Sequence, residues 1–172
     1  IEYQGGRLRE RYDFVPMFLI DESRLLERAR TPGIFIFSNY VWNVENNLAL
    51  SAAVKAANPL NVTIHGGPST PSYEQDNRNF FADNSHVDIT VRGEGELTFA
   101  DILDKLELQN STDLEALSAV PGISYRTADG VRRTQDRERI PDLDTIPSAY
   151  LTGLFDEFGA MRSAGIIETN RC

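Results

Sequence analysis

Three short apolar runs, each closing on polar or glycine-rich residues and each followed by a helical pattern, narrow what this chain can fold into. "IFIFSNYV" (34–41), "NVTIH" (61–65) and "VDITVR" (87–92) have strand lengths and the near-continuous apolar character of strands covered on both faces. Between the first two, "NVENNLALSAAVKAANP" (43–59) reads as a helix. Asn43 is its N-cap, Leu48, Ala49, Ala52, Ala53 and Ala56 form its apolar stripe, and Asn58-Pro59 stops it. The second and third runs each lead to a helix as well, the last being "ELTFADILDKLEL" (96–108). Upstream, "YDFVPMFL" (12–19) predicts one more strand and "ESRLLERAR" (22–30) a helix. Strands alternating with helices at this spacing predict an α/β fold, a Rossmann- or flavodoxin-like doubly wound parallel sheet.

Past residue 118 the pattern changes. "GISYRTADGVRRTQ" is two β-like runs around Asp129-Gly130, a strong hairpin signal. "RIPDLDTIPSAYLTGLFDEF" carries Pro141 and Pro147 with little periodicity and reads as an ordered linker, and "GIIETNRC" (165–172) reads as the beginning of another strand. The expected division is therefore an α/β domain over 1–118, a hairpin and linker over 119–164, and the start of a further unit at 165–172.

The totals remove several classes of function. A net charge of −9, with no Lys/Arg cluster interleaved with aromatics, argues against nucleic acid as a partner. No apolar run approaches the roughly 18 residues of a membrane helix, and the charged N-terminus has no signal-peptide core. The first residue is Ile, so the chain is expected to begin inside a longer protein. One Cys, the last of 172 residues, leaves no intramolecular disulfide and suits a reducing cytoplasm. There is no G-x-S-x-G elbow, Walker loop or G-x-G-x-x-G fingerprint.

In open α/β sheets ligands lie outside the carboxyl ends of the strands, where this chain places "SNYVWN", "HGGPST" and "RGEGE". Ser38, Asn39, Tyr40, Val41 and Trp42 suggest a pocket lip with polar contacts, although aromatics there also suit the rim of a core. Gly66 and Gly67 would let a ligand approach the backbone, stiffened by Pro68 and flanked by the hydroxyl of Ser69 or Thr70; the same glycines also suit a tight turn of positive φ. Glu94 and Glu96, beside Arg92, Gly93 and Gly95, would repel phosphate at a helix N-terminus and accept from hydroxyl or amide donors. They would equally complement the helix dipole. His65 and His86 are weak signals.

Together these segments resemble the cobalamin-binding domain of cobalamin-dependent radical S-adenosylmethionine enzymes. The likeness runs through "GIFIFSNYVWNVENNLAL", "VTIHGGPSTP", "VDITVRGEGELTFADIL", "VPGISYRTADG", "IPDLDTIPSAYLTGLFD" and "IIETNRC". It implies a corrin ring across the carboxyl ends of the sheet, its nucleotide tail beside the glycine-rich loops, and corrin amides and ribose as donors to Glu94 and Glu96. It implies that the family's first strand precedes residue 1. It also implies that Cys172 is the first cysteine of a C-x3-C-x2-C motif holding a 4Fe–4S cluster that cleaves S-adenosylmethionine in a radical barrel of the same protein. Here Arg171 directly precedes Cys172 where the family has an intervening Gly, and the other two cysteines do not occur. The usual activity implied is methyl transfer to an unreactive carbon or phosphorus centre. D-x-H-x-x-G, which supplies a histidine to cobalt in other cobalamin proteins, is not found. The cofactor is thus expected base-off, with Tyr40, Val41 and Trp42 against its lower face. The alternative is a flavodoxin-like module for another flat cofactor such as a flavin.

Overall fold

The computed structural model describes residues 3–15, 22–106, 114–148 and 151–153. Their core is an open five-stranded sheet in the order β1-β2-β3-β4-β5. β1 (Ile34–Ser38), β2 (Val62–Gly66) and β3 (Ile89–Val91) run parallel, and β4 (Ile123–Thr127) and β5 (Gly130–Arg133) continue the sheet antiparallel. Helices α1 (Glu22–Arg28), α2 (Val44–Ala57), α3 (Glu74–Asp83) and α4 (Gly95–Lys105) flank the strands. This is the α/β, Rossmann- or flavodoxin-like arrangement that the alternation predicts. The Asp129-Gly130 hairpin forms as expected, and β4 pairs directly with β3, so the hairpin widens the sheet.

The two faces of the sheet differ chemically. Val62, Ile64, Ile89, Val91, Ile123 and Tyr125 pack with Ile102 and Leu106 of the α4 region and with Leu114, Leu117 and Val120. Each such side chain stabilises the fold by about 1.5–3 kcal/mol on burial. On the opposite face the register aligns Phe37, His65, Thr90 and Ser124 in one row across four strands. Three members of that row are polar and fully buried, so each must find partners inside the protein. α2 supplies some of them.

Three expectations change. The strand predicted over 12–19 is not a strand in its described part, residues 12–15; residues 16–19 lie outside the described residues. Here the chain is drawn onto the end of α4 instead. Arg11 donates to the carbonyls of Asp104 (3.3 Å) and Leu106 (3.1 Å), and Tyr12 Oη lies 2.7 Å from the carbonyls of Leu103 and Leu106. These contacts satisfy carbonyls that a helix terminus leaves without intrahelical partners. β1 is not covered on both faces, since Ile36 is 53% exposed, and among the described residues it is the end strand of the sheet. Finally, the buried stripe of α2 is Asn47, Leu50, Ser51 and Val54 rather than the alanine-rich set, of which Ala49 and Ala56 are exposed. Alanine methyls bury little area, so the helix rotates to serve the polar row.

Candidate cofactor site at the carboxyl ends of the parallel strands

Beyond β1 the chain makes a tight turn that its own asparagines fix. The Asn43 Oδ1 accepts from the Tyr40 amide at 2.7 Å, and the Nδ2 groups of Asn43 and Asn47 both donate to the Ser38 carbonyl, at 3.1 and 3.0 Å. Asn43 occupies the N-cap position of α2 as expected, but its side chain braces the turn and leaves the helix amides uncapped. Ser38 is exposed at the rim. Tyr40 and Trp42 stack with centroids 4.7 Å apart, and Val41 and Trp42 are 81% and 76% exposed. A wide apolar shelf therefore faces outward.

Asn39 points the other way and is fully buried. Its Nδ2 donates to His65 Nδ1 and Thr70 Oγ1, each at 3.1 Å, and its Oδ1 accepts from Asn47 Nδ2 at 3.0 Å. Because Asn39 supplies a proton to His65 Nδ1, that nitrogen is the acceptor and Nε2–H donates to Ser51 Oγ at 2.9 Å. Burial pushes the His65 pKa down to about 3, and His86 adds to the effect. His65 is thus a neutral internal brace, stacked on Phe37, with both nitrogens engaged.

Gly66 and Gly67 end β2 beside this turn. Gly67 has φ +90°, and a Cβ there would meet the Asn39 carbonyl oxygen at 2.7 Å and the Asn39 nitrogen at 2.9 Å. Its absence of a side chain is required by the neighbouring turn within the protein itself. Pro68 is exposed, the Ser69 amide donates to the Asn39 carbonyl at 3.0 Å, and Thr70 Oγ1 donates to the Gly66 carbonyl at 2.8 Å. The loops after β1 and β2 are one unit.

The third segment is turned largely toward the connector after β5. Arg92 donates to Asp136 Oδ1 (2.9 Å), Ser124 Oγ (3.0 Å) and the Thr134 carbonyl (2.7 Å). Glu94 Oε2 accepts from the Ile140 amide at 2.6 Å. Gly93 has positive φ, Gly95 begins α4, and Glu96 is exposed in its first turn. Cys172 lies outside the described residues.

No protein-family model matches the chain. Two curated proteins do. One is the 2-(S-pantetheinyl)-carbapenam-3-carboxylate methyltransferase of Streptantibioticus cattleyicolor, 32% identical over 98% of this chain and 25% of its own length. The other is the cobalamin-dependent radical SAM methyltransferase TokK of Streptomyces tokunonensis, 31% identical over the same shares. The chain is homologous to cobalamin-dependent radical SAM methyltransferases. It spans about a quarter of the length of these relatives.

A flat macrocycle would need an apolar platform with polar groups at its margin, and Tyr40, Val41 and Trp42 beside Ser38 have that character. Metal ligation is a different matter: among the described residues no cluster of three His, Cys, Asp or Glu could hold an ion, and His65 has no free nitrogen. Sequence reasoning missed Asn47 and Ser51, whose side chains, with that of Thr70, fix the shelf from behind. The repeated asparagines of "NVENN" were the available signal, since asparagine is unfavourable within a helix and mid-helix occurrence asks for a partner.

Proposed function

We propose that this chain is the cobalamin-binding portion of a cobalamin-dependent radical SAM methyltransferase. In this reading Ser38, Tyr40, Val41, Trp42, Gly66, Gly67, Pro68 and Ser69 form the cofactor platform, with residues 93–96 at its margin; Asn39 and Arg92, expected as direct contacts, are buried and act from behind it. The observation that carries the reading is the exposed Tyr40–Trp42 stack at the ends of parallel strands. Covering aromatic rings yields on the order of 25 cal/mol per Å², which favours a flat ligand against this stack.

Bound cobalamin supplies a methyl carrier, and in the full-length protein a 4Fe–4S cluster with S-adenosylmethionine supplies the radical that activates an unreactive acceptor. The chain's residues contribute shape and exclusion. The aromatic shelf would hold the ring and exclude water from the side it covers. His65, held by Asn39 and Ser51, is withheld from cobalt. Ser38 would offer a hydroxyl to the amide rim, and Glu94 and Glu96, both of which also have partners within the protein, would present carboxylate oxygens beside it. Cys172 would be the first ligand of the cluster, within a radical barrel of the same protein. One relative is named for a carbapenam carboxylate, and a carbon acceptor is accordingly the class we propose for methyl transfer.

Titrating the full-length protein with hydroxocobalamin and, separately, with flavin mononucleotide tests the reading. Saturable cobalamin binding, weakened about tenfold or more by Trp42→Ala, is expected. Flavin binding without cobalamin binding would return the site to the flavodoxin-like alternative. The cob(II)alamin form should show no nitrogen splitting in electron paramagnetic resonance that depends on His65.

A further inference from the structure

The aromatic shelf is exposed, yet the turn that carries it is braced locally by Asn43 and Asn47 and tied to β2 and its following loop through the side chain of Asn39. Asn39 joins four separate pieces of the fold. Its backbone amide donates to the Gly66 carbonyl at 2.7 Å, closing β1 against β2, and its carbonyl accepts from the Ser69 amide at 3.0 Å. Its side chain reaches His65 in β2, Thr70 in the following loop and Asn47 in α2. Behind it, His65 is held in one tautomer by Ser51 of α2. The very next residues, Tyr40 to Trp42, bear the shelf: Tyr40 is 38% exposed, and Val41 and Trp42, at 81% and 76%, have little covering them from outside.

We infer that Asn39 is a positioning residue: through His65, Thr70 and Asn47 it sets the orientation of the Tyr40–Val41–Trp42 shelf and thereby the affinity of the site for its flat ligand. The ligand part rests on the cobalamin reading, whereas the orientation part does not. The network has directionality that makes it testable. Asn39 gives two protons from Nδ2 and takes one at Oδ1. An aspartate retains the acceptor toward Asn47 but turns an oxygen toward His65 Nδ1 and Thr70 Oγ1, both of which are acceptors in this network.

A matched control exists at the other end of the parallel strands, immediately before β2. Asn61 is also fully buried, donates Nδ2 to the carbonyls of Ala29 (2.8 Å) and Val54 (2.9 Å), and accepts from the Gly33 amide at 3.1 Å. Asn61→Asp makes the same chemical change far from the shelf along β2.

The experiment compares Asn39→Asp and Asn61→Asp in the full-length protein, each with and without Trp42→Phe. The near-ultraviolet circular dichroism that disappears with Trp42→Phe reports the Tyr40–Trp42 stack. Hydroxocobalamin titration reports the site. The expected result is that Asn39→Asp loses more than about half of the Trp42-dependent signal and weakens hydroxocobalamin about tenfold, while Asn61→Asp leaves both within about twofold of wild type at a comparable loss of stability. Wild-type signal and affinity in Asn39→Asp would overturn the inference, as would equal losses in Asn61→Asp. Should Asn39→Asp fail to fold, Thr70→Val removes one acceptor of the network and decides by the same criteria. If the wild-type protein binds no hydroxocobalamin, the cofactor reading falls and the dichroism alone still decides whether Asn39 orients the shelf.

Discussion

His65 illustrates how a buried residue leaves a signature in solution. Its pKa in the folded chain is lowered to about 3 by burial, against an ordinary value of about 6.5 in the unfolded chain. Between those values the unfolded state binds more protons, so stability is complete above the unfolded pKa and declines as pH falls toward the folded one. From pH 7 to pH 5, His65 should account for about 2 kcal/mol of lost stability. Urea denaturation at the two pH values should show that loss reduced by this amount in His65→Asn, which keeps an acceptor for Asn39. The glycines make a second contrast. Gly67→Ala combines positive φ with a 2.7 Å approach to the Asn39 carbonyl oxygen and should cost about 2–5 kcal/mol. Gly93→Ala also has positive φ but meets nothing within 4 Å, so about 1–2 kcal/mol is expected. Thermal unfolding of the two variants separates crowding from backbone preference.

At the level of elements, the segment after β5 is an ordered strap. Arg92 holds it through Asp136 and Thr134, Arg137 pairs with Asp101 and donates to Thr98 Oγ1 at 2.7 Å, and Glu94 receives Ile140. Arg92→Met should cost about 1–3 kcal/mol, since several hydrogen bonds of a buried guanidinium vanish together. Hydrogen exchange in residues 134–140 should rise while β1 to β3 stay protected. Asp136→Asn should cost less than about 1 kcal/mol, because that carboxylate is 74% exposed. Strands β1 to β3, α1, α4 and the hairpin were legible because period, length and turn residues agreed locally, whereas residues 12–15, expected in a strand, are held on the end of α4 instead. The orientation of α2 was not, because its alanines carry little apolar area while its buried asparagine and serine answer partners distant in sequence. Nor was the use of Arg92, which depends on an Asp 44 residues away. The shelf residues were legible as a group at the strand ends, but the reason for Gly67 lay in Asn39, which no local pattern discloses.

For the molecule as a whole, the two sheet edges are unlike. β5 presents Arg132 and Arg133, whereas β1 leaves its outer side unpaired among the described residues and shows Ile36 half-exposed. Charged edges resist pairing with other chains and apolar ones invite it. The 172-residue chain expressed alone should therefore self-associate, and Ile36→Lys should shift sedimentation toward the monomer; no shift would show that the β1 edge is not the contact. The polar row through His65, Thr90 and Ser124 has a consequence for folding fidelity. A displacement of β2 by one residue would carry Ile64 under the asparagine and serine of α2 and drive His65 among the aliphatic side chains around Ile102. Each misplaced polar group would cost about 1–3 kcal/mol, and all would err together. Kinetic traps with slipped strands are thereby destabilised as a set, so the chemistry that braces the shelf also edits the routes by which the sheet assembles.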